Sequence, residues 1–267
     1  MLPVRIIAQV LFVVFALIAV ASPVFVGLAR LSRIPATARQ RLRAVGPYVA
    51  VLVALLAVNS VVRDLGPEFS WIVGYNVTGI IHAIEGQFVA HLQSTLASPM
   101  LTAYFSYVYV YGYAFLLIFP VVAYFALEDT EPLRQTIVAY SLNYGIGVLC
   151  YLAFIAYGPR NLMPEMVEGL LFTTYPEYKL LTAEVNSNTN VFPSLHTSLS
   201  VTVALLAART REVYRGWFYV ATLLAASITF STMYLGIHWG TDVIAGILVA
   251  VGSVRYAESP RFEFDRF

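Results

Sequence analysis

The chain has 267 residues, 59% of them hydrophobic and 12% charged, and its net charge is +1. Its mean hydropathy is +0.74, and the charged fraction is about half of what a soluble domain of this length carries. Those values exclude an ordinary soluble domain, and the near-neutral charge gives no reason to expect a nucleic-acid partner.

Apolar runs close to the ~20 residues that cross a hydrocarbon core recur along the whole chain. Seven predicted spans cover about 6–29, 45–62, 100–127, 135–157, 192–208, 216–235 and 239–254. The second and fifth are short. The expected fold is therefore all-α: a polytopic transmembrane helical bundle. Its expected parts are an N-terminal span with a basic loop (1–44), a six-span core (45–255) and a short tail (256–267). The first span carries a small-x-small triplet in "AVASP" (19–23), like a signal-peptidase site. Cleavage there would leave five arginines outside the membrane, against the positive-inside rule, so the segment reads as a true span.

The next loop holds Arg30, Arg33, Arg39, Arg41 and Arg43. With Arg134, Arg209, Arg211, Arg215, Arg255, Arg261 and Arg266, twelve of the sixteen cationic side chains fall on one expected side. Arg5, Arg63, Arg160 and Lys179 fall on the other. The bias places the C-terminus inside and the N-terminus outside, in a multi-pass cell-membrane protein.

Between the second and third spans, "IIHAIEGQFVAHLQ" has apolar residues at helical spacing and reads as a helix at the membrane interface. His82, Glu85 and His91 lie in it as conceivable metal ligands, although His91 is off the face of the other two. "NVT" (76–78) matches a glycosylation acceptor on the expected outer side. Cys150, the single cysteine, lies inside an apolar run, which leaves no disulfide framework and no Cys-based metal site.

The chemistry gathers at three span ends on one expected side. In "YLGIHWGTDVIAG" (234–246), His238 and Asp242 are spaced i, i+4, so on a helix they share a face. A carboxylate there accepts the Nδ1 proton and leaves Nε2 as a nucleophile; the same pair also serves simply to fix the start of a helix. In "VFPSLHTSLS" (191–200), Pro193 and Ser194 suit the first turn of a helix, whose free N–H groups and dipole favour a phosphate. Ser194 adds a donor, and His196 would face the same cavity and protonate a leaving oxygen. Arg160, in "YGPRNL", either grips phosphoryl oxygens bidentately or snorkels to lipid headgroups. Together the set reads as phosphoryl transfer through a phosphohistidine, and no metal or cofactor is needed because donors and helix termini can hold the developing charge.

"PSLH" (193–196) and the H-x-x-x-D of 238–242 resemble the second and third signatures of the type 2 phosphatidic acid phosphatase superfamily. Ser231 stands where the third signature opens, but Thr232 replaces its arginine, and Ala153 replaces the lysine seven residues before Arg160. "FPSLHTS" and "STMYLGIHWGTD" look like the branch that contains inositol phosphorylceramide synthase. That resemblance implies a transferase site that moves a phospho-headgroup between membrane lipids, and the loss of two cations suits a phosphodiester donor. With water as acceptor the same site would be a lipid phosphatase acting on phosphatidate or a polyprenyl (di)phosphate. A transporter or channel is the reading from another class; it calls for ionisable residues deep in several spans, whereas here they cluster at span ends.

Overall fold

In hydrocarbon every backbone N–H and C=O must be satisfied internally, and a helix does so within one segment. The structure, a computed structural model, describes residues 2–178 and 191–259, with residues 2–3 and 63–69 described by their backbone alone. Lys179, Arg261 and Arg266, three of the charges in the orientation argument, lie outside the described residues.

The N-terminal helices are α1 (Leu2–Ala21), α2 (Leu28–Leu31) and α3 (Ile34–Val73), followed by the short α4 (Thr78–Glu85) and α5 (Phe88–Leu96). The middle of the chain forms α6 (Pro99–Tyr107), α7 (Tyr113–Phe125) and α8 (Glu131–Ala153), then the single turns α9 (Pro159–Leu162) and α10 (Leu170–Thr174). The last three helices are α11 (Leu195–Arg209), α12 (Arg215–Tyr234) and α13 (Gly240–Ala257). Two-residue strands β1 (Tyr75–Asn76) and β2 (Phe154–Ile155) pair in parallel and tie the ends of α3 and α8 together.

Among the described residues, six stretches are long and apolar enough to cross a membrane: Val4–Val26, Ile34–Val62, Pro99–Phe125, Glu131–Ala153, Arg215–Tyr234 and Gly240–Ala257. The expected all-α membrane bundle is thus the observed one. Two boundaries differ from the sequence reading. The basic "loop" is helical from Ile34 onward, because Pro35 sits in the first turn of α3, where its missing N–H is not needed. The fifth predicted span is α11, of only 15 residues. At 1.5 Å per residue that is about 22 Å, short of a ~30 Å core. It packs against α7, α8, α12 and α13, and Leu199, Val203 and Ala207 are fully buried. A helix enclosed by protein does not have to match the bilayer.

Interhelical hydrogen bonds lock α11 and its neighbours. Asn143 Nδ2 donates to Thr202 Oγ1 at 3.1 Å, Tyr214 OH donates to the Ala123 carbonyl at 3.0 Å, and the Tyr124 and Thr210 hydroxyls are bonded at 3.0 Å. Trp217 fills the core beside Phe119, with ring centroids 4.5 Å apart. Ala21 and Val26 belong to this same core, so the first span is packed as part of the bundle.

The arginines gather at one end. Arg33 pairs with Glu128 at 3.2 Å and Arg209 with Glu258 at 3.0 Å. Arg30 lies over the Tyr214 ring at 5.3 Å, and Arg41 Nη1 donates to the Phe125 carbonyl. Arg160, Ser194 and His238 occupy the opposite end.

Candidate active site

The turn "YLGIH" is built by the end of α12. Ile237 N and His238 N both donate to the Thr232 carbonyl, each at 3.0 Å. Gly236 makes the reversal with φ +73°, a conformation that favours glycine, and a Cβ there would lie 2.7 Å from the Glu168 carbonyl oxygen. His238 therefore precedes α13 rather than riding on it, unlike the shared helix face expected from the spacing. Its contact with Asp242 forms nonetheless, because a carboxylate in the first helical turn reaches back over the helix start. His238 Nδ1 is 3.3 Å from Asp242 Oδ2, which also accepts the Trp239 N–H at 2.9 Å.

Asp242 is fully buried and His238 is 1% exposed, which makes the pairing decisive for both. His238 Nε2 is buried and has no hydrogen-bond partner among the described residues. Trp239 is anchored by its Nε1–H to the Tyr157 carbonyl at 2.8 Å.

Two further N–H groups at the start of α13 are taken by a residue far away in sequence. Glu85 Oε2 accepts from Gly240 N at 2.8 Å, and its Oε1 accepts from Thr241 N. A carboxylate at a helix N-terminus satisfies orphan donors and complements the dipole. This is what the polar segment between the second and third spans does. His82 packs on Trp239, with ring centroids 5.9 Å apart, and neither it nor Glu85 forms a metal cluster with His91 among the described residues.

The start of α11 sits against that of α13. Ser194 is its N-cap: Oγ accepts the Thr197 N–H at 3.3 Å, which leaves its own O–H free to donate. Ser194 N donates to the Asp242 carbonyl at 3.1 Å. The approach is close enough that a Cβ on Gly246 would lie 2.6 Å from the Ser194 carbonyl oxygen. His196, half-buried, is the second residue of α11 and lies within electrostatic reach of His238.

Two residues that sequence reasoning missed hold it. The Tyr109 ring stacks on the His196 imidazole (centroids 4.3 Å, planes 14° apart), and Tyr113 covers the other face (4.2 Å, 32°). Both tyrosines come from the third span, Tyr109 from a π-helical turn over Val108–Gly112. Nothing in "YVYVYGY" (107–113) distinguishes them from ordinary aromatic packing in a span.

Arg160 completes the site. Its backbone N–H donates to the Gly236 carbonyl at 3.2 Å, which places it beside the His238 turn. The guanidinium lies over the Phe172 ring at 4.5 Å, and Nη1 is buried with no partner among the described residues. Burial pushes its pKa down and nearby Tyr109 opposes this, yet an arginine stays charged at any physiological pH. Thr232 has no such freedom. It is fully buried, and its hydroxyl donates to the Thr229 carbonyl at 2.8 Å.

The structure thus brings all five expected residues to one end of the bundle. Among the described residues it supplies a fixed imidazole with a free nitrogen, a second imidazole, a serine donor and an arginine with an unpartnered nitrogen, groups suited to phosphoryl transfer through a histidine. A family model described as the PAP2 superfamily matches residues 78–256, from α4 to the end of α13. No curated protein and no solved structure matches.

Proposed function

The chain belongs to the PAP2 superfamily, whose members are phosphatases and phosphotransferases, and from that premise we propose that it is an integral membrane lipid phosphotransferase. It moves a phospho-headgroup, inositol phosphate-like in kind, from a phospholipid donor to a lipid hydroxyl. The observation that carries the reading is the free, buried Nε2 of His238, held by Asp242.

His238 Nε2 attacks phosphorus as the bond to the donor's lipid oxygen breaks. Protonated His196 gives its proton to that oxygen, so the leaving group departs as an alcohol. The phosphohistidine is then attacked by the acceptor hydroxyl, whose proton returns to His196, and His238 is regenerated. Asp242 holds the imidazole in its tautomer and balances the charge that develops on it. Arg160 and the Ser194 hydroxyl hold the phosphoryl oxygens.

Among the described residues Arg160 is the one cation at this site with an unpartnered nitrogen, which suits a singly charged phosphodiester better than a doubly charged monoester. An apolar groove of about 570 Å³ between α3 and α8, lined among others by Leu55, Val58, Gly145 and Leu149, suits a hydrocarbon chain. The arginine end faces the cytoplasm and the site faces out of it.

The test is to incubate the purified protein with headgroup-labelled phospholipid, with and without a lipid alcohol. Transfer to the alcohol is the expected result. Release of inorganic phosphate from phosphatidate or a polyprenyl (di)phosphate offered in parallel, with no new phospholipid, makes the protein a lipid phosphatase. For sidedness, Glu165→Cys in a Cys150→Ser background is expected to react with an impermeant thiol reagent on intact cells, and Glu212→Cys only after permeabilisation. The opposite pattern inverts the topology.

A further inference from the structure

His196 is gripped in a way that its position as the second residue of a helix does not require. Most side chains at a helix start are free to turn about χ2; this one has an aromatic ring on each face. Tyr109 sits in the π turn over Val108–Gly112, and Tyr113 immediately follows it. Such turns concentrate at functional sites because they cost helix regularity.

We propose that Tyr109 and Tyr113 are positioning residues: they fix the plane of His196 so that its N–H points at the leaving oxygen, and their negative ring faces stabilise the imidazolium that donates the proton. The inference rests on His196 being the acid of the proposed reaction. As the His238 Nε2–P bond forms and the P–O bond breaks, the electron pair stays on the leaving oxygen. That oxygen takes the proton from His196, which ends neutral. A ring that swings out of plane leaves this proton misplaced, and cationic stacking on phenol faces is lost with either tyrosine. The hydroxyls are not needed for this; the rings are.

The experiment compares two leaving groups on the same phospho-headgroup, an alkyl alcohol and p-nitrophenol, in the full-length protein. Nitrophenolate departs without a proton, so only the alkyl ester depends on the acid. Replacing either ring, Tyr109→Leu or Tyr113→Leu, is expected to lower the alkyl rate at least about tenfold more than the nitrophenyl rate, chiefly in kcat. Phenylalanine at the same positions is expected to restore the ratio to within about twofold of the native value. Equal losses on both esters in the leucine variants overturn the proposal, and so does loss of the ratio in the Tyr109→Phe, Tyr113→Phe double variant, which does not depend on how the leucine variants fold. His196→Gln separates this inference from the reading beneath it. If His196→Gln slows both esters alike, His196 is not the acid and the assignment of roles has failed. If it selectively slows the alkyl ester while the leucine variants do not, the clamp alone has failed.

Discussion

The two ends of the bundle carry opposite kinds of polar group. At the arginine end two charge pairs lie in the open: Arg33 with Glu128, at 68% and 85% side-chain exposure, and Arg209 with Glu258. At the other end the polar atoms are buried and several are left waiting, with His238 Nε2, Asp242 Oδ1 and Arg160 Nη1 unpartnered among the described residues. Buried polar atoms without partners are expensive and few in native proteins. Three of them gather around one turn, where the proposed mechanism has a ligand supply the missing bonds. Exposed pairs at the other end contribute little to stability; their asymmetry sets orientation instead.

The largest effect expected from this contrast is at His238. His238→Ala removes the proposed nucleophile and should abolish transfer, whereas Asp242→Asn leaves the nitrogen in place but wrongly presented, at a cost of about 10²–10⁴-fold in kcat. Steady-state rates on a labelled phospholipid distinguish them, and an active His238→Ala protein sinks the contrast at its root. Arg160→Ala comes next. Loss of a charge-assisted bond worth roughly 1.5–3 kcal/mol should lower kcat/KM about 10–150-fold.

Glu85→Ala tests whether the site is built from afar. Two N–H groups of α13 lose their acceptor, and the helix start should be destabilised by about 1–3 kcal/mol. A lower Tm in detergent, accompanied by reduced activity, is the expected pair of readings. The smallest effect is at the far end: Arg209→Ala should change stability by less than about 1 kcal/mol and leave the rate of transfer unchanged. A large loss of activity there would mean that the two ends are not separable.

What the sequence showed, and what it hid, follows the range of the interaction. Ser194 as a cap and Asp242 reaching back to His238 are contacts within four residues, and local spacing is enough to read them. Glu85 grips a helix start 155 residues away, so its segment reads from the sequence as a plain amphipathic helix. Tyr109 and Tyr113 meet His196 only because the third span packs beside α11, and no periodicity announces that. The short α11 was legible as apolar but not as enclosed, since enclosure is a property of its neighbours. Thr232 was legible as a missing cation. Its burial adds that the site has no room for an arginine at that position without repacking.

The most direct measurement is to find the covalent intermediate. The protein is mixed briefly with phospholipid carrying a labelled phosphate, quenched in alkali to preserve phosphoramidate bonds, digested and read by mass spectrometry. The expected result is a phospho-headgroup on the peptide bearing His238, lost in His238→Ala and cleared when a lipid alcohol is added. Turnover that proceeds with no modified His238, or with the label on another residue, contradicts the mechanism.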